Sequence, residues 1–69
     1  MKVTEATLDE VFSYHKATPE QIEIMNNVRC KCKDLALAVL QCPDSDDREV
    51  ALRCVREVSM WANASVILG

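Results

Sequence analysis

Apolar side chains recur along this chain in steps of three and four. Across residues 19–41 they fall at Ile22, Met25, Val28, Cys32, Leu35, Ala36, Val39 and Leu40, which is the period of an α-helix. No Gly or Pro interrupts the run after Pro19. At about 1.5 Å per residue the segment would be ~34 Å long. Its start is well marked: Thr18, Pro19 and Gln21 supply a capping threonine, a proline at the first helical position and the glutamine of a capping box. Pro43 disfavours helical geometry at Cys42 and ends the run.

A second long run, 46–68, carries Val50, Ala51, Cys54, Val55, Val58, Trp61, Ala62 and Val66 on one stripe, with small Ser65 beside them. Leu52, Met60, Ile67 and Leu68 lie partly off it. Asp46 with Glu49 has capping-box spacing, Ser45 is an alternative cap, and acids at this end suit the helix dipole. Upstream, Thr7 and Glu10 have the same spacing and open a short segment, 7–13, where Leu8, Val11 and Phe12 share a face. The pattern therefore predicts an all-α fold: a short N-terminal helix (7–13), then a long antiparallel helical hairpin (19–41 and 46–68), in a single domain over 1–69. A short connection joins antiparallel neighbours. Two helices bury only one stripe each, yet the stretch MWANASVIL is apolar almost all round, and such a helix is normally covered on every side. The chain is expected to assemble as a homo-oligomer whose hairpins share a core.

Composition narrows the function. Sixty-nine residues, 49% of them hydrophobic with one Gly and two Pro, make a folded chain too small to build a large core alone. A net charge of −3 predicts no general affinity for DNA or membrane surfaces. No apolar run is long enough to span a bilayer, and MKVTEATLDE lacks a signal-peptide core, so a reducing cytoplasm and free thiols are expected. Cys30 and Cys32 point about 200° apart on a helix. With Cys42, Cys54 and a single histidine they match no zinc spacing, so no metal or other cofactor is expected. No nucleophile–base pattern or glycine-rich phosphate loop is present, and the acids cluster where capping explains them; the expectation is not an enzyme.

Charge is unevenly placed. NNVRCKCK (26–33) holds cations without an acid. Arg29 and Lys33 lie one turn apart on a shared face, while Lys31 points nearly opposite. They form either a solvated edge pairing with acids on the next helix or a phosphate site. Tyr14, beside His15 and Lys16, either anchors the N-terminal arm or offers a stacking platform for a base, worth about 1–3 kcal/mol. Arg29 is roughly 16 Å along its helix, far from Tyr14 within one chain; a neighbour's arm would bring the two together.

The segments FSYHKATPEQ, VRCKCKDLALAVL and CPDSDDREVALRCVREVSMWANASVIL, in this order and spacing, resemble the phage anti-CBASS sponges. These small proteins sequester the cyclic oligonucleotide signals of bacterial CBASS immunity. The resemblance runs from Phe12 to Ile67. It implies a helical homohexamer in the host cytoplasm that binds cyclic dinucleotides such as cyclic GMP-AMP, and cyclic trinucleotides in separate pockets, without cleaving them. By that resemblance Tyr14 stacks on a base, Arg29 of another chain meets the phosphates with Lys33 on its face, His15 and Lys16 shape the rim, and Lys31 serves the trinucleotide pocket. Two other readings compete: a structural or regulatory helical oligomer that binds a host protein, and a small enzyme acting on such nucleotides.

Overall fold

The computed structural model describes residues 2–69. A 3-10 turn over Glu5–Thr7 leads into α1, Leu8–Val11; α2 spans Pro19–Val39 and α3 spans Asp46–Leu68. The two long helices pack on each other as an antiparallel hairpin, and the short helical arm precedes them.

The start of α2 follows the local code. The Gln21 amide donates to Thr18 Oγ1 (3.2 Å), and Gln21 Oε1 accepts from the Thr18 amide (2.9 Å). Gln21 also does something its position in a capping box does not announce. Its Nε2 donates to the Val66 carbonyl (3.1 Å) in a part-buried bond to α3. One side chain thus caps α2 and satisfies a carbonyl in the last turn of α3, where no intrahelical partner exists.

The expected helix ends need correcting in places. Thr7 does not cap a helix through Glu10, because its hydroxyl is engaged upstream. It accepts from the Thr4 amide (2.8 Å) and donates to the Lys2 carbonyl (2.9 Å). The arm therefore begins as a 3-10 turn before Thr7, and α1 ends at Val11, not at 13. Ser13 Oγ donates back to the Asp9 carbonyl, a competing side-chain bond of the kind that closes helices. At the other junction, of the two caps the sequence offers, Ser45 is the one used, accepting from the Arg48 amide at 3.2 Å. Likewise α2 ends at Val39, two residues earlier than expected. The Gln41 and Cys42 amides donate three residues back, to Ala38 and Val39 (3.1 and 2.9 Å), so the chain is already tightening before Pro43.

Arg48 closes this turn. Its Nη1 donates to the Leu40 and Cys42 carbonyls (3.5 and 3.4 Å), and its Nη2 pairs with Asp44 Oδ1 at 3.1 Å. The guanidinium thereby serves carbonyls that the end of α2 leaves without partners.

The inward line of α2 is Gln21, Met25, Val28, Cys32, Ala36 and Val39, all half-buried. Opposite them, Val55 is the buried residue of α3, with half-buried Ala51, Leu52 and Ala62 around it. No other described residue is fully buried. Ile22, Leu35 and Leu40 of the wide α2 pattern lie exposed, as do Val50, Val58 and Trp61 of α3. The single chain is a slab of 46 × 28 × 14 Å with a radius of gyration of 15.1 Å; a compact globule of this length would have about 11 Å.

Candidate functional site

The arm leaves α1, bends through residues 12–18 and delivers two side chains to the flank of the hairpin. Tyr14 and His15 line an open groove of about 350 Å³ together with Val11, Met25, Asn63 and Ile67. His15 is half-buried, and its Nε2 donates to the Glu10 carbonyl. That bond ties the bend to the end of α1 and fixes the tautomer with the proton on Nε2. Tyr14, by contrast, is 90% exposed. Its ring is not packed as an anchor of the arm within this chain; its face is open.

The three cations from the sequence reading sit elsewhere on α2. Arg29, Lys31 and Lys33 are exposed, and none lines the groove. Arg29 Nη1 donates to Asn26 Oδ1 (3.1 Å), a neutral partner on its own helix. Among the described residues none of the three forms an ion pair, so the acid partners that would make Arg29 and Lys33 an ordinary salt-bridged edge are not there. Arg29 stands one turn beyond Met25, which lines the groove, so it borders the Tyr14 flank of the hairpin. Lys31 is rotated by about 200° from Arg29 and belongs to the opposite flank.

Asn63 lies within the apolar stretch MWANASVIL. It is half-buried in the groove wall, and its Oδ1 is shut off from solvent without a hydrogen-bond donor. A second hollow, about 280 Å³, lies between the arm and the last turns of α3, lined by Val3, Val11, Trp61, Ala64, Ser65 and Leu68. With Gly69 also in its lining, it offers one side-chain hydroxyl and no charged side chain.

The thiols have no shared chemistry. Cys32 is half-buried, whereas Cys30, Cys42 and Cys54 are exposed and unbridged, so only one of the four packs inside the hairpin. Among the described residues no cluster of His, Cys, Asp or Glu is suited to a metal, and no helix is long and apolar enough to cross a membrane.

Within one chain the groove joins an exposed aromatic to Met25 and Asn63, and the unpaired cations lie outside it. The family model for the Acb2/Tad1 hairpin domain matches residues 4–66, nearly the whole chain. Comparison with curated proteins and with solved structures finds no match.

Proposed function

We propose that this chain, which belongs to the Acb2/Tad1 hairpin domain family, sequesters cyclic oligonucleotides without cleaving them. The family includes the phage anti-CBASS cyclic nucleotide sponge Acb2. The observation that carries the reading on this chain is Tyr14: an aromatic face 90% exposed on the wall of a groove, held there by the His15 bond to α1. Every nucleobase offers a π face to such a ring. Arg29 and Lys33, free of acids, supply charge for the phosphates from a neighbouring copy. Lys31, on the far flank, serves a separate trinucleotide pocket.

The assembly belongs to the same proposal. The outer stripe of α3, with Val50, Val58 and Trp61 exposed, continues the helical period beside the inward line. Ile24 and Leu35 of α2 are exposed as well. Hairpins joined through these stripes would gain the shared core that one chain lacks, and a homohexamer offers paired, symmetry-related sites that suit a two-fold ligand. Binding and release need no metal and no nucleophile, and the action belongs in the host cytoplasm.

Calorimetric titration with cyclic GMP-AMP, followed by heat denaturation and analysis of the released nucleotide, tests the reading. Tight binding with intact release is expected. Cleaved nucleotide would mark an enzyme. No heat of binding would leave the exposed stripes as a surface for a host protein and overturn the sponge.

A further inference from the structure

We infer that Arg56 is a third phosphate-binding cation, completing on α3 the site that Arg29 and Lys33 begin on α2. The inference rests on the sponge reading and deepens it: the trio holds one phosphodiester of the nucleotide whose base stacks on Tyr14 of another copy. Met25 of α2 and Asn63 of α3 both line the groove. Arg29 stands one turn beyond Met25, with Lys33 a turn further, and Arg56 stands seven residues, close to two turns, before Asn63. Because the helices are antiparallel, both paths lead from the groove toward the α2–α3 turn on one flank of the hairpin. The bond from Gln21 to the Val66 carbonyl (3.1 Å) sets the register. Counted from it at about 1.5 Å per residue, Arg29 lies ~12 Å, Arg56 ~15 Å and Lys33 ~18 Å along the hairpin. Arg56 therefore falls level with the gap between the two α2 cations. Packed helix axes are about 8–10 Å apart, within reach of three long side chains closing on one anion.

Charge placement points the same way. All three cations are exposed, and among the described residues none forms an ion pair. An acid three or four residues away is the ordinary partner of a cation on a helix. No acid holds such a position around Arg29, Lys33 or Arg56; the neighbours of Arg56 are Leu52, Arg53, Ser59 and Met60. Acids are not scarce, since the chain has eleven against eight Lys and Arg. Arg53 is the contrast, with Glu49 and Glu57 four residues to either side. On the stripe of Arg56 the nearest acid is Glu49, two turns nearer the α2–α3 turn and ~10 Å away along the axis. Like charges gathered without acids repel. An anion with several oxygens relieves them, and arginine can grip two of those oxygens in parallel bonds.

The test uses the full chain as wild type, Arg56→Gln, Arg56→Lys and, as a control, Arg53→Gln. Each is titrated with cyclic GMP-AMP at low and at moderate salt, and each is checked for Tm and for mass in solution. Arg56→Gln should bind about tenfold or more weakly and respond less to salt, with Tm and mass unchanged. Arg56→Lys keeps the charge without the fork and should recover part of the loss. Arg53→Gln removes the same charge from the same helix and should bind like wild type. Wild-type affinity in Arg56→Gln overturns the assignment and leaves the sponge intact. An equal loss in Arg53→Gln does the same, because it reduces the effect to net charge. Weaker binding that comes with a lower mass would make Arg56 an assembly contact and also overturn the site. A wild type that does not bind sinks the sponge reading and this residue's role with it.

Discussion

At the scale of single residues, Tyr14 and Arg48 show what position in the sequence does and does not reveal. Tyr14 is legible because the only tyrosine stands before a clear helix start, and its exposure makes its role testable. Tyr14→Ala should weaken cyclic dinucleotide binding by about 1–3 kcal/mol per stacked base, whereas Tyr14→Phe should be mild, since stacking needs the ring alone. Arg29→Ala should cost a further ~1.5–3 kcal/mol, the range for a hydrogen bond to a charged group. Lys31→Ala should spare dinucleotides and weaken trinucleotides; titrations with both ligand classes check the set. If the Tyr14 and Arg29 variants bind like wild type, the groove is only structural. Arg48 is the opposite case. Nothing in DSDDRE says that its guanidinium turns back to the Leu40 and Cys42 carbonyls, because that depends on the path of the turn. Its loss in Arg48→Ala should destabilise the hairpin by about 1–2 kcal/mol, the bonds being long. Arg48→Lys should recover little, since a lysine cannot span two carbonyls and a carboxylate. Chemical denaturation of the ligand-free protein reads both.

At the scale of elements, legibility follows how local the signal is. The α2 start was readable because Thr18, Pro19 and Gln21 act within one turn. The α1 start was not, since Thr4 and Thr7 both carry a hydroxyl of the capping type and only the observed Thr7 bonds to Thr4 and Lys2 decide between them. The groove was half readable: the arm residues announced themselves, but Met25 and Asn63 join it only through the packing of α2 on α3. The Gln21 bond to Val66 is likewise tertiary, and it yields a discriminating variant. Gln21→Glu keeps an acceptor for the Thr18 amide and is a standard capping-box residue. It nevertheless loses the donor to Val66 and sets a carboxylate at the negative end of α3. Gln21→Glu should therefore be no more stable than Gln21→Ala, with both about 1–2 kcal/mol below wild type in denaturant melts. A stable Gln21→Glu would show that the bridge between helix ends carries no weight.

At the scale of the whole molecule, the apolar pattern was readable but its destination was not, since periodicity says which residues want cover and not what covers them. Trp61 tells the two apart. It is 71% exposed in the single chain, so Trp61→Asp should do little to an isolated hairpin. Within an assembly the same change places a charge in a shared core at a cost of several kcal/mol. Light scattering should find wild type well above 7.8 kDa and Trp61→Asp dissociated; a wild-type monomer that is folded and soluble would defeat the shared site. The slab has a further consequence for dynamics. With Val55 its only buried residue among those described, the hairpin has no interior in which backbone amides are sheltered by depth. In the proposed assembly, protection beyond that of the helical hydrogen bonds would come from neighbouring copies, and global opening would be a dissociation governed by mass action. The slowest amides of α2 and α3 should exchange faster on dilution, so that their lifetimes measure how crowded the molecule is by its own kind.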